Sequence, residues 1–147
     1  MSDTGIATLD GATSQVNVWL NELAQAAHLD GRNDSYRLLR ATLHALRDWL
    51  GVDEAADLGA QLPTLLRGIY YEGWNPSATP AHPRSKEDFV ARVQRAFPAD
   101  PLKNPDLAIR AVFTVLDRHV TAGQIAQVRH ALQKPLRELW PGAGGAL

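Results

Sequence analysis

Cysteine is absent from the 147 residues, which removes disulfides, thiolate metal sites and cysteine nucleophiles and fits a reducing compartment. Excess charge is lacking too. Fifteen Lys and Arg stand against sixteen Asp and Glu, a formal net charge of −1, so no overall field draws the chain to nucleic-acid phosphates or anionic lipid. No window approaches the ~20 apolar residues that span a bilayer. Residues 1–14 have neither the basic start nor the apolar run of a secretory signal, and these absences point to a cytoplasmic protein. No nucleophile elbow, phosphate loop or dinucleotide-binding glycine pattern occurs. His28, His44, His82, His119 and His130 show no His-Glu-x-x-His pattern and no ligand-like spacing with carboxylates. No metal, no cofactor and no enzymatic activity is therefore expected.

What is present is apolar periodicity. With 45% hydrophobic residues the chain can build a core without staples. Its stripes recur at helical spacing: Val16, Leu20, Leu23, Ala27; Leu39, Leu43, Leu46, Leu50; Ala55, Leu58, Leu62, Leu66, Ile69; then Val90, Val93, Phe97; Ile109, Phe113, Leu116, Val120; and Ile125, Val128, Leu132, Leu136, Leu139. No stretch alternates with period two for long enough to suggest a strand. The fold class is all-α. Candidate N-caps are Ser14, Asn33 or Asp34, Asp53, Ser85 with Asp88, Asn104 before Pro105, and Thr121 with Gln124. Pro63 and Pro135 fall inside the third and sixth stripes, which predicts helices kinked or broken there.

Residues 19–70 slide onto 89–140 without a gap, a repeat of period seventy. Trp19 falls on Phe89, Leu43 on Phe113, Leu58 on Val128 and Ile69 on Leu139, with identities at Arg40/Arg110, Leu46/Leu116, Leu62/Leu132 and Arg67/Arg137. The reading is a tandem duplication of a three-helix unit, with six main helices in a compact bundle. The expected organisation is an unstructured N-terminus at 1–13, repeat 1 at 14–71, a Gly/Pro-rich aromatic linker at 72–85, repeat 2 at 86–141 and a flexible tail at 142–147.

The run Leu62-Pro63-Thr64-Leu65-Leu66-Arg67-Gly68-Ile69-Tyr70-Tyr71-Glu72-Gly73-Trp74-Asn75-Pro76, with Phe89 opening the next copy, resembles the signature of the bacterial family called domain of unknown function 2267. Leu136-Arg137-Glu138-Leu139-Trp140-Pro141 resembles its closing motif. The likeness runs from about Trp19 to Pro141. It implies a bacterial, helical, duplicated protein and carries no activity, cofactor or catalytic residue with it. At 132–137 the chain departs from the family's Leu-Pro pattern, because Pro135 is shifted.

Two groups of residues are candidates for a binding surface. Arg40, Arg67, Arg110 and Arg137 recur at equivalent places, either to brace helix ends or to form a pseudo-symmetric anion site. The first reading is favoured, since a repeated residue in a repeated unit is first explained by repeated packing. Tyr70, Tyr71 and Trp74 either fold back as a clamp against the second unit or stay accessible as a recognition patch. The clamp is favoured, because three exposed rings invite aggregation. Asp53, Glu54 and Asp57 are read as first-turn acids meeting a helix dipole rather than as catalytic carboxylates. Arg32, Arg37, Arg40 and Arg47 do not share one face, and acids dilute them, which makes nucleic-acid binding the weaker expectation. The functional expectation is an adaptor, regulatory or stress-associated module that binds a protein partner or a second copy of itself through a groove or face between the units. The alternative is a small-ligand or anion binder, or an enzyme, with its site at the same interface.

Overall fold

The computed structural model describes residues 4–81 and 85–141. They form eight α-helices and no strand: α1 (Ala7–Ala27), α2 (Arg32–Trp49), α3 (Val52–Ala60), α4 (Thr64–Tyr71), α5 (Lys86–Gln94), α6 (Pro105–His119), α7 (Ala122–Ala131) and α8 (Lys134–Arg137), with a 3-10 turn at Pro76–Ala78. None of these helices is long and apolar enough to cross a membrane. The tail at 142–147 and residues 1–3 and 82–84 lie outside the described residues.

The third and sixth stripes are each split where proline removes a backbone donor. Pro63 caps α4, and Pro135 sits in the first turn of α8, so each stripe becomes two short helices that keep one apolar face. Capping in the second half follows the sequence. Ser85 and Asp88 form a reciprocal capping box, Asn104 accepts from the Leu107 amide ahead of Pro105, and Thr121 accepts from the Gln124 amide.

The first half differs at its boundaries. Its caps are Ile6, Gly31 and Gly51, none with a side-chain cap bond, rather than Ser14, Asn33 or Asp34, and Asp53. α1 begins at Ala7, inside the stretch that the sequence pattern assigns to an unstructured N-terminus. The Thr4 hydroxyl donates to Asp10 Oδ1 at 2.7 Å and accepts from the Ile6 amide at 3.0 Å, which holds the chain at the helix entrance.

One core runs through both halves. Trp19, Leu23, Leu43, Leu46, Trp49, Leu58 and Tyr70 share it with Phe89, Val93, Phe113, Leu116, Val128, Leu136 and Trp140. The halves interlock: α1 packs on α6, α5 on α2, α2 on α6 and α3 on α7. Trp19 stacks on His119 with ring centroids 4.6 Å apart, and Trp49 meets Phe89 edge-on at 5.4 Å. Seventy residues separate Trp19 from Phe89 and Trp49 from His119, so the two contacts are counterparts.

Around these rings the charges are inverted. Glu22 accepts from His119 at 2.9 Å and lies 3.7 Å from Arg118. At the counterpart position Arg92 pairs with Asp48, which also holds the buried Arg47. Arg47 in turn donates to the Tyr70 and Glu72 carbonyls at the end of α4. The linker is pinned to the same place, since the Ala81 amide donates to the Asp48 carbonyl at 2.7 Å.

Candidate binding groove

The paired arginines split into two kinds. Arg67 donates to the carbonyls of Gly59 (2.9 Å), Ala60 (3.2 Å) and Leu62 (3.0 Å). Arg137 donates to those of His130 (3.2 Å) and Leu132 (2.8 Å). Both side chains therefore complete the carbonyls that a helix end leaves without amides, at the breaks after α3 and α7. Arg40 is exposed and paired with Glu72 at 3.0 Å. Arg110 is exposed on α6. Among the described residues no hydrogen bond or ion pair gathers any two of the four on one acceptor.

The aromatic cluster is folded back, onto α3 of its own unit rather than onto the second unit. Tyr70 is fully buried and its hydroxyl donates to the Ala55 carbonyl at 2.7 Å, and burial pushes its ionisation well above the ordinary phenol range. Tyr71 lies over Gly59, where an added Cβ would be 2.7 Å from Tyr71 Cζ. Trp74 stacks obliquely on Tyr71, centroids 5.2 Å apart. The physical reason is the glycine: a bare backbone at residue 59 lets a ring approach α3 closely. Tyr71 and Trp74 remain half-buried.

Neither group lines the groove that opens between the ends of the two halves. That groove, about 510 Å³, lies where the end of α1 and the start of α2 face the end of α5 and the start of α6. Leu29, Phe97, Leu102, Leu107 and Ala108 supply apolar surface, while Asp30, Asp34, Asp100 and Lys103 supply charge. His28, in the left-handed conformation at the α1 C-cap, turns the chain so that Leu29 and Asp30 border the opening. Leu107 is 40% exposed, more than a core position warrants.

On one side Arg37 ties together three lining residues, Asp34, Phe97 and Asp100. Its Nη1 donates to Asp34 Oδ1 and Asp100 Oδ2, both at 3.0 Å, and its Nη2 donates to Asp100 Oδ1 at 3.0 Å and to the Ala96 carbonyl at 2.7 Å. The guanidinium lies 4.2 Å over the Phe97 ring. The hydrogen bond from Arg37 holds the Asp100 carboxyl below its usual range, and the same bond raises Arg37.

A second opening, about 550 Å³, lies between α3 and α7 beside Glu54, Asp57, Gln127 and His130. Among the described residues no cluster of three His, Asp or Glu could hold a metal ion. Glu54 folds back to the α3 N-terminus, its Oε1 2.7 Å from where a Gly51 Cβ would sit, a place where the helix dipole favours a carboxylate.

The family model described as an uncharacterized conserved protein (DUF2267) matches residues 16–139. No curated protein matches the chain. The matched span takes in both halves, the shared core and every residue named around the groove.

Proposed function

The chain belongs to the DUF2267 family, and on that premise we propose that it is a non-enzymatic bacterial binding module, cytoplasmic, that offers the groove between its halves to a protein partner. The halves are two copies of one unit, an origin supported by the counterpart ring contacts and by Arg67 and Arg137, which serve equivalent carbonyls.

The observation that carries the proposal is the groove itself. It has an apolar floor with an exposed Leu107 and a charged rim, assembled from elements of both halves, which is the composition of a protein-recognition surface. The alternative, an anion site at the paired arginines, has less support, because the donors of Arg67 and Arg137 are engaged by carbonyls.

The test is affinity capture from bacterial lysate followed by hydrogen exchange on the recovered complex. The expected result is a specific partner whose binding slows exchange at residues 28–34 and 100–108 and is lost in a folded Leu107→Glu variant. A partner that protects only the surface around Tyr71 and Trp74, or capture unaffected by the variant, would overturn the assignment of the groove.

A further inference from the structure

The two walls of the groove are counterparts that differ in content. Asp100, Phe97 and the Ala96 carbonyl surround the Arg37 guanidinium on one side. Seventy residues earlier stand Asp30, Ala27 and Ala26, and seventy after Arg37 stands Leu107. Asp30, Ala27 and Leu107 all border the groove. On this second side the carboxylate is kept, the guanidinium is missing, and the ring is reduced to a methyl group. Asp30 is exposed and makes no ion pair among the described residues, with Lys103 or any other cation. α1 ends beside it, with Ala27 and His28 bordering the groove, and a helix C-terminus accumulates negative potential.

We propose that this side of the groove receives an arginine side chain from a partner polypeptide, whose guanidinium takes the place beside Asp30 that Arg37 occupies beside Asp100. The inference rests on the reading of the groove as a protein-binding site and names the chemistry of its occupant. Three observations select that chemistry. Carboxylate and helix-end carbonyls together form an acceptor set that the protein itself fills with a guanidinium at Arg37. A planar fork of five donors matches such a set better than a point-charge ammonium. Leu107 and Leu29 line the same groove as Asp30 and offer an apolar surface for the methylene stem of the entering residue and an apolar neighbour in its sequence.

The experiment titrates the isotope-labelled full chain with the blocked peptide Ala-Leu-Arg-Leu-Ala and follows backbone amide shifts. Parallel titrations use the same peptide with lysine or citrulline replacing arginine, and ethylguanidinium alone. Saturable shifts are expected at Leu29, Asp30 and Leu107, with affinity at least about fivefold weaker for lysine and lost for the uncharged citrulline. Asp30→Asn should weaken the arginine peptide by about tenfold or more. Leu107→Arg, which installs in cis the counterpart of Arg37, should fold and abolish binding by filling the site.

Equal binding of the arginine and citrulline peptides, binding untouched by both variants, or no saturable shift at millimolar peptide would overturn the inference. Ethylguanidinium binding as tightly as the peptide would overturn the polypeptide as its source. A captured partner that protects the groove but does not depend on arginine would leave the binding-module proposal standing while removing this one. Capture without protection of the groove would remove both.

Discussion

Trp19 lies stacked on His119, 19° from parallel, although one belongs to the first helix and the other ends the sixth. Such ring contacts contribute about 0.5–1.5 kcal/mol beyond the area they bury. We expect His119→Ala to cost about 1–2 kcal/mol, because the bond to Glu22 goes with the stack. Trp49 is 3% exposed, and Trp49→Ala should cost about 3–5 kcal/mol. Urea unfolding should show one transition in both variants. Separate melting of the halves in either would contradict a shared core.

Thr42 is fully buried on α2 and its hydroxyl has no hydrogen-bond partner among the described residues. The residue seventy places on is Val112, also buried. Replacing an unsatisfied hydroxyl by a methyl of the same shape recovers a desolvation cost of about 1–3 kcal/mol. Thr42→Val should therefore raise the melting temperature, and a fall would mean that the hydroxyl has a partner in solution.

His44 is half-buried and its Nε2 donates to the Ile69 carbonyl at 2.7 Å. Desolvation lowers its ionisation below the ordinary 6.5. In the unfolded chain the ring takes up a proton first as pH falls, so stability is full above about 6.5 and declines as pH drops toward the lowered folded value. The wild type should lose more stability between pH 7.5 and pH 5.5 than His44→Gln. Parallel curves from the two proteins would show that another group carries the acid sensitivity.

Arg67 and Arg137 complete helix-end carbonyls, so Arg67→Met and Arg137→Met should each cost about 1–3 kcal/mol. Lysine at either place should recover little, since one ammonium cannot reproduce the forked geometry. Melting curves of the four variants check this. Full rescue by lysine would show that charge alone matters there.

Gly59 admits Tyr71, and Gly59→Ala places a methyl group against that ring. Overpacking of this kind costs about 1–3 kcal/mol. Trp74 leans on Tyr71, so tryptophan fluorescence should shift toward that of a water-exposed indole in the folded variant. An unchanged spectrum would place Trp74 independently of the ring beside it.

Helix content and the six apolar stripes were legible because burial imposes a period of 3.6 residues on sequence, and Pro63 and Pro135 marked the breaks. Ser85, Asn104 and Thr121 were legible as caps because each offers a side-chain acceptor to an orphan amide. Gly31 and Gly51 offer none, which hid the true starts of α2 and α3. The pairing of Trp19 with His119 could not be read at all, since periodicity names the face a helix buries and not the helix it meets. The groove left a fainter mark. At the spacing of seventy, Arg37 falls on Leu107 and Phe97 on Ala27 while Asp30 and Asp100 agree, and it is the mismatches at that spacing, rather than the matches, that fall at the opening.

Because α1 and α2 pack on α5 and α6 as well as on each other, the halves share one interior. During synthesis the first half leaves the ribosome before His119 and Phe89, the ring partners of Trp19 and Trp49, have followed. A stalled chain ending near residue 81 should accordingly be cut by protease at the α1 and α2 segments that resist it in the finished protein. The shared interior thus ties the burial of the first half's tryptophans to the synthesis of the second.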